Sequence, residues 1–373
     1  MIISNKRIPE EFNLMKMDTP AAPFTCTYTP NVAELLTQLH CSLAITTYQA
    51  GKLIFLSPDG ENSMRQLPRD FNTAMGLAIH QNHMAIATKE EVVVLANAPE
   101  LAAGYPVKPG FYDAFFVPRA TYYTGGIDIH DMDWDGNGKL WGVNTLFSSL
   151  VTIDDCYSFR PQWTPPFIKS FESCDFCHLN GMAMVNQKPK YVTMFGQTTT
   201  PKGWRNGVET NGLVMDIESN EVIAQSLPMP HSPRWFNGAL YCLLSATGEL
   251  IRIDVSNGKY DVITQLKGFV RGMAKRGDYL FIGLSKLRQN ASTFRDIAIS
   301  KHAVYCGIEI IHLPTGANVG NIRYQQSVEE IYDVQVLPGM LKPGILNHTT
   351  NTFRLALHTP NATFWADTTF QNN

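Results

Sequence analysis

Residues 180–227 read NGMAMVNQKPKYVTMFGQTTTPKGWRNGVETNGLVMDIESNEVIAQSL and contain four runs of apolar and β-branched residues. The runs are NGMAMV, KYVTMF, GLVMDIES and EVIAQSL, and residues such as Asn, Gly and Pro separate them. Runs of this length and composition between turn residues are typical of short strands. The stretch therefore predicts a four-stranded antiparallel meander.

The opening phrase of this meander, a small or polar pair followed by an apolar pair, recurs along the chain. The copies are MGLAI at 75, HDMDW at 130, NGMAM at 180, SPRWF at 232, RGMAK at 271 and YDVQV at 332. They lie roughly 40 to 60 residues apart, which is the length of a propeller blade with its turns. We therefore predict an all-β fold, a six-bladed β-propeller.

The last copy of the phrase lacks strands to follow it, but the other end of the chain supplies them. Residues 42–68 contain SLAITTYQ, KLIFLSP and NSMRQLP. Pairing these strands with the C-terminal inner strand would close the ring and remove an exposed sheet edge. We predict an N-terminal segment, 1–41, with a short helix at 31–39, a single propeller domain, 42–340, and a C-terminal extension, 341–373, packed on the propeller.

Composition excludes several classes of partner. The 30 basic and 33 acidic residues give a net charge of -3, and no basic stripe is present, so we expect no nucleic acid partner. The sequence has no run of 18 apolar residues and no signal-peptide core, so we expect no membrane partner and a cytoplasmic location. Seven cysteines in a chain of 373 residues do not indicate a disulfide framework.

The loops that enter the inner strands of a propeller form one rim of its central channel. In the predicted register, the equivalent positions at the strand starts are Met75, His130, Asn180, Ser232, Arg271 and Tyr332. Histidines gathered with a carboxylate are typical of divalent-metal and acid–base sites. We therefore predict that His130, His178 and His231 bind a divalent metal ion or share proton transfer, although each could instead satisfy backbone groups between blades.

The remaining candidate residues carry charge or amide groups near the same rim. Glu330 is predicted to act as a metal ligand or base, and Asn180, Arg234 and Arg271 are predicted to orient a small polar or anionic substrate. The alternative is a propeller without catalytic activity that binds a peptide or protein on this face. It would use Trp204, Tyr48 and the loops at 105–126 and 286–303.

Two short motifs resemble cofactor sites. CDFCH, residues 174–178, matches the haem-attachment pattern C-x-x-C-H, but covalent attachment occurs outside the cytoplasm and no export signal is present, so no haem is expected. A zinc site there would need a second C-x-x-C, which the sequence lacks. DWDGNG, residues 133–138, resembles the start of a calcium loop, but its twelfth position is Asn144, so a hairpin turn is the better interpretation.

Several longer motifs resemble one bacterial family of unknown function over residues 40–340. They are TTYQAGKL at 46, VNTLFSSL at 143, YSFRPQWTPPFI at 157, CHLNGMA at 177, GWRNG at 203, MPHSPRW at 229, GLSKLRQN at 283 and EEIYDVQVLPG at 329. The resemblance implies a propeller-type fold and assigns no roles. The positions that it marks within these motifs are His178, Asn180, His231, Arg234, Ser285 and Glu330. A more distant architectural similarity is to gluconolactonase-like six-bladed propellers, and it transfers no function.

Overall fold

The computed structural model describes residues 22–287, 294 and 297–366. Within these residues, six sheets of four or five strands form the blades of a propeller. Each inner strand contacts the inner strands of the two neighbouring blades, so the six inner strands form a closed ring. The prediction of an all-β, six-bladed propeller is confirmed.

The first third of the chain forms most of blade 6 and all of blade 1. Its first elements are β1 (Cys26–Tyr28), α1 (Val32–Gln38), β2 (Cys41–Thr47), β3 (Lys52–Pro58) and β4 (Met64–Asp70). Blade 1 comprises β5 (Leu77–His80), β6 (His83–Ala87), β7 (Glu91–Asn97), α2 (Glu100–Ala103) and β8 (Ala114–Tyr123). Helix α1 lies within the range 31–39 where the sequence predicts a short helix.

Blades 2, 3 and 4 are meanders of four consecutive strands. Blade 2 comprises β9 (Ile129–Trp134), β10 (Leu140–Asn144), β11 (Ser149–Ile153) and β12 (Arg160–Trp163). Blade 3 comprises β13 (Gly181–Val185), β14 (Lys188–Met194), β15 (Gly212–Asp216) and β16 (Val222–Leu227), with a 3-10 helix at Gly203–Arg205. Blade 4 comprises β17 (Pro230–Phe236), β18 (Ala239–Leu244), β19 (Glu249–Ile253) and β20 (Tyr260–Gln265).

The last third of the chain forms blade 5, the inner strand of blade 6 and the C-terminal segment. Blade 5 comprises β21 (Phe269–Arg276), β22 (Tyr279–Ser285), a 3-10 helix at Ala298–Lys301, β23 (Cys306–His312) and β24 (Ala317–Tyr324). The inner strand of blade 6 is β25 (Asp333–Pro338). The C-terminal elements are β26 (Pro343–Ile345), a 3-10 helix at Asn351–Leu355, β27 (Ala356–His358) and β28 (Thr363–Trp365).

Blade 6 joins the two ends of the chain, as the sequence predicts. Strand β25 pairs antiparallel with β2, which continues into β3 and β4. Two short strands that the sequence did not reveal cover outer edges, because β1 pairs with β24 of blade 5 and β26 pairs in parallel with β8 of blade 1. Residues 1–21 and 367–373 of the two predicted terminal segments lie outside the described residues.

Apolar side chains fill the six interfaces between neighbouring blades. Leu53 and Phe55 of blade 6, for example, pack with Leu77 and Ile86 of blade 1. Equivalent clusters lie between each other pair of neighbours. In the described part of the chain, no helix is long and apolar enough to cross a membrane.

The predicted register of the inner strands is wrong at one position in blade 4. Arg234 pairs with Tyr241 as Ala183 pairs with Tyr191 in blade 3. Counting back three residues from Arg234 and from Ala183 aligns Asn180 with His231 rather than with Ser232. The strand has a bulge between His231 and Arg234, which the sequence phrase alone did not reveal.

The next position of each inner strand alternates between glycine and a hydrogen-bond acceptor. We call these residues the inter-blade ring: Gly76, Asp131, Gly181, Ser232, Gly272 and Asp333. The acceptor side chains bind backbone N–H groups of the following blade, namely Met182 to Asp131 at 3.0 Å, Gly272 to Ser232 at 2.9 Å and Leu77 to Asp333 at 3.1 Å. The ring therefore links blade 2 to 3, blade 4 to 5 and blade 6 to 1.

The glycines of the inter-blade ring are required by the close approach of the following blade. A Cβ on Gly181 would lie 2.3 Å from Cδ of Pro233, and a Cβ on Gly272 would lie 2.8 Å from Cα of Asp333. Gly272 also has a φ of +77°, which L side chains rarely adopt.

Replacing Gly272 with alanine is expected to destabilise the propeller by about 3 kcal/mol, because it combines a disfavoured φ with overlap against the backbone of blade 6. Urea denaturation measures the change in the free energy of unfolding. Gly238→Ala is the matched control, since Gly238 has a φ of +78° but no atom within 4 Å of its Cβ position. The control is expected to cost only about 1 kcal/mol, and equal losses in the two variants would contradict the role of the ring.

Candidate functional site at the channel mouth

A cavity of about 440 Å³ opens at the end of the channel where the inner strands begin. All six blades contribute to its lining. The contributing residues include Met75, His130, His178, His231, Arg271 and Tyr332. Because these side chains come from distant parts of the sequence, only closure of the ring brings them together.

Five of the seven predicted site residues line this cavity, and two do not. His130, His178, His231, Arg271 and Glu330 are the five. Glu330 is half-buried at the rim, in the connection between β24 and β25. The backbone N–H of Lys286, at the start of the loop between β22 and β23, donates to the carbonyl of Glu329 at 2.8 Å. Part of that loop, predicted as a partner-binding surface over 286–303, lies outside the described residues.

Asn180 does not line the cavity. It is 3% exposed, and its Oδ1 accepts a hydrogen bond of 2.7 Å from the Thr193 hydroxyl. Asn180 occupies the position in blade 3 that is equivalent to His231, at the start of an inner strand, and the sequence therefore predicted it at the rim. Its hydrogen bond with Thr193 keeps its side chain within blade 3.

Arg234 also lies away from the cavity, in a buried ion cluster of the inner strands. Its guanidinium donates to both carboxylate oxygens of Asp131, at 2.7 and 3.1 Å, and lies 3.7 Å from Asp333. Burial opposes the charge on Arg234, but Asp131 and Asp333 outweigh it and raise the pKa of the guanidinium. Arg234 is therefore already paired, and its single positive charge offsets only one of the two carboxylates of the inter-blade ring. Burial, together with the nearby Asp131, raises the pKa of Asp333.

His178 is held by a carboxylate that the sequence did not single out. Its Nδ1 lies 3.1 Å from Oδ2 of Asp175, and its backbone N–H donates to Oδ1 of Asp175 at 3.1 Å. The indole N–H of Trp204 donates to the same carboxylate at 3.0 Å. Since a carboxylate accepts, Nδ1 of His178 carries a proton, and in the neutral ring the lone pair therefore lies on Nε2. Asp175 stands three residues before His178 in CDFCH, which is the only signal that could have identified it.

The rings of His130 and His231 are fixed in the same tautomer. Nδ1 of His130 lies 3.1 Å from the carbonyl oxygen of Asp128, which can only accept. Nδ1 of His231 lies 2.6 Å from the Ser245 hydroxyl, which itself donates to the carbonyl of Val270 at 2.6 Å. Both rings therefore donate through Nδ1 and keep the lone pair on Nε2.

Burial and neighbouring charge keep these two imidazoles unprotonated. Burial lowers the pKa of His130 and of His231 well below its usual value, and the cation of Arg271 lowers it further. The pKa of Asp128 changes in the opposite direction, because burial and the nearby Asp175 carboxylate raise it. His130 and His231 thus line the cavity as neutral rings.

Arg271 and Tyr332 form a donor pair in the cavity lining, where the Tyr332 ring lies 5.5 Å from the ring of His130. The guanidinium carbon of Arg271 lies 3.4 Å from the centre of the Tyr332 ring. Nη2 of Arg271 and the hydroxyl of Tyr332 are both buried, and neither has a hydrogen-bond partner among the described residues. Burial raises the pKa of Tyr332, so its hydroxyl keeps its proton at neutral pH.

Aromatic side chains enclose the histidines. The ring of His178 lies 4.6 Å from that of Phe195 and 4.2 Å from that of Trp204, between centroids. Phe195 also contacts His231 at 5.1 Å, and Phe269 lies 5.9 Å from His231. Such an apolar enclosure strengthens hydrogen bonds and charge interactions inside the cavity.

The three histidines do not form a preassembled metal site. In the described part of the chain, one group of three potential ligand atoms lies within 4.8 Å of one another, and it is Asp154, Asp155 and Cys156 in a turn of blade 2. Two of those residues are exposed. A metal at His130, His178 and His231 would require their rings to move closer together.

The buried His231 predicts a specific dependence of stability on pH. The unfolded chain protonates this imidazole near its ordinary pKa of about 6.5, whereas the folded chain does not. Below that pH the unfolded state binds more protons, so the free energy of unfolding falls by up to about 1.4 kcal/mol per pH unit. His231→Gln is expected to make this slope shallower, as measured by urea denaturation from neutral to acidic pH.

The exposed His83 provides the control, since His83→Gln is expected to leave the slope unchanged. An identical slope in His231→Gln and the unsubstituted protein would contradict the buried, neutral state of His231.

Solved structures with similar architecture include a protein of unknown function from Bacteroides caccae, at 8% identity over 80% of this chain and 98% of that chain, with a TM-score of 0.50. The nidogen/laminin complex matches at 9% identity over 80% and 99%, with a TM-score of 0.48. Virginiamycin B lyase from Staphylococcus aureus with quinupristin matches at 12% identity over 80% and 99%, with a TM-score of 0.41. At these identities, such similarity concerns the fold alone.

Comparison with curated proteins gives no match. A family model described as "Domain of unknown function (DUF4915)" matches residues 30–346. The match agrees with the resemblance of the sequence motifs to a family of unknown function. The chain therefore belongs to the DUF4915 family.

Proposed function

We propose that this protein is an enzyme that removes a proton from a carbon atom next to the anionic group of a small molecule bound at the channel mouth. The observation that carries the proposal is the Asp175–His178 pair, which lines the same cavity as Arg271. A base oriented by a carboxylate and a cation with an available buried donor are complementary parts of such a site.

His178 is the base in this proposal. Asp175 accepts the Nδ1 proton of His178 and fixes the tautomer, so Nε2 presents its lone pair. Trp204 and the backbone N–H of His178 hold Asp175 in turn. The proton would pass from carbon to Nε2, and the electron pair would move onto the anionic group.

Arg271 and Tyr332 bind the anionic group and stabilise the charge that develops on it. Their unpartnered Nη2 and hydroxyl groups are donors in a buried environment, where hydrogen bonds to an anion are strong. Glu330 at the rim would contribute to orientation or to return of the proton. The proposal does not use Asn180 or Arg234 as ligand-binding groups, because both are engaged within the blades.

The expected activity can be measured as exchange of carbon-bound hydrogen for deuterium. The protein is incubated in D₂O with a panel of small carboxylic and phosphonic acids, and proton NMR follows loss of the signal next to the anionic group. His178→Gln is expected to reduce exchange by at least about 100-fold, since a positioned base contributes on that order. Asp175→Asn is expected to do the same, because an amide that donates to Nδ1 would place the proton on Nε2.

His83→Gln serves as the control and is expected to exchange at the unsubstituted rate. Calorimetry would separate binding from proton transfer, since the dissociation constant should change much less in Asp175→Asn than in Arg271→Gln. If no acid in the panel exchanges, or if His178→Gln exchanges normally, the proposal is wrong.

A divalent metal at His130, His178 and His231 is a second candidate, favoured by one observation. All three histidines donate through Nδ1 to a protein group, which is the usual arrangement for imidazoles that bind metal through Nε2. This candidate predicts about one metal ion per chain by elemental analysis, lost in both His178→Ala and His231→Ala. Cys156→Ser controls for metal held at the Asp154–Asp155–Cys156 turn. Metal-free, folded protein would overturn this candidate.

Binding of a peptide or protein on this face remains the alternative from another class. The concave cavity with several titratable side chains favours a small molecule instead. Failure of the exchange experiment together with an unaltered fold would favour this alternative.

A further inference from the structure

The three histidines present only acceptor atoms to the cavity. Nδ1 of His130, His178 and His231 is used by the Asp128 carbonyl, the Asp175 carboxylate and the Ser245 hydroxyl, respectively. Their Nε2 atoms make no hydrogen bond to the part of the protein that the structure describes. A neutral imidazole whose Nδ1 carries the proton can only accept through Nε2.

Other groups that line the cavity present donors and positive charge. Nη2 of Arg271 and the Tyr332 hydroxyl are buried donors without a partner among the described residues. Among the described residues, four cationic side chains and three carboxylates line the cavity: Arg271, Lys202, Arg205 and Lys286, against Asp128, Asp175 and Glu330. Asp175 is already engaged by Trp204 and His178, so it is less available to repel an anionic ligand.

We infer that the ligand of the channel mouth is an anion that also carries hydroxyl or amine donors, with its anionic group on Arg271 and Tyr332 and its donors on the three histidine nitrogens. The inference rests on the proposed function, whose anion-binding residues it shares, and adds the chemical class of the substrate. An unsubstituted fatty or dicarboxylic acid would leave buried acceptors unpaired, which is costly.

Acids with and without hydroxyl or amine donors can be compared directly, and the difference in their binding affinity tests this inference. Galactarate and adipate have the same six-carbon dicarboxylate chain and differ in four hydroxyl groups, while 6-aminohexanoate and hexanoate differ in one amine. Isothermal titration calorimetry on the full chain is expected to show about tenfold or tighter binding of at least one donor-bearing acid over its partner. The pair that is discriminated identifies hydroxyl or amine as the donor.

His231 allows a matched pair of substitutions. In His231→Asn, the side-chain amide can still donate to Ser245 but no acceptor remains at the position of Nε2, whereas His231→Gln places an amide oxygen near that position. We expect His231→Asn to lose the preference for the donor-bearing acid and His231→Gln to retain most of it. Thermal melting checks that both variants remain folded.

The outcomes separate this inference from the proposed function. If adipate and hexanoate bind as tightly as their partners, and Arg271→Gln weakens all of them, the anion site stands and the inference about donors is overturned. If none of the four acids binds, or if Arg271→Gln changes nothing, both fail. If His231→Asn still binds the donor-bearing acid more tightly than its partner, the assignment of His231 as an acceptor is also overturned.

Discussion

The inter-blade ring is the constraint on which the rest of the molecule depends. Each acceptor of the ring binds a backbone N–H of the following blade, and each glycine permits the following strand to approach closely. Apolar packing alone would let neighbouring blades shift along one another, whereas these hydrogen bonds fix the position of each inner strand relative to the next. Arg234 pairs with Asp131, and burial with the nearby Asp131 raises the pKa of Asp333, because an unpaired charge there would be very costly.

The candidate site lies next to the inter-blade ring, and the register of the ring determines the geometry of the site. His130, His231, Arg271 and Tyr332 each precede a ring residue, so the same register that aligns the blades also aims these side chains at one cavity. Hydroxyl groups at the ends of the second strands add a second layer of contacts between blades. Ser245, for example, binds the Val270 carbonyl and orients His231. Residues such as Ser245 therefore contribute both to the contacts that hold the blades together and to the arrangement of the site.

The electrostatics of the channel are divided into two levels. At the ring, the guanidinium of Arg234 donates to Asp131 and lies near Asp333, so these charged groups are not available to bind a ligand. At the mouth, burial and Arg271 keep His130 and His231 neutral, while Arg271 itself lacks a hydrogen-bond partner at Nη2 among the described residues. These features are the basis of the proposed binding of an anion and of the proposed acid–base chemistry at the mouth.

The sequence by itself determined the number of blades, the strand closure through residues 42–68 and the set of unusual residues near the strand starts, because these follow from local repeats and alternation. It could not assign His231 rather than Ser232 to the rim, because the strand pairing that sets the register cannot be read from the composition of the phrase. It also missed Asp175, whose role depends on a turn and on Trp204, and it placed Arg234 at a site where the structure has a buried ion pair. Only tertiary structure decides these points, because which atoms meet across the channel depends on contacts between distant blades.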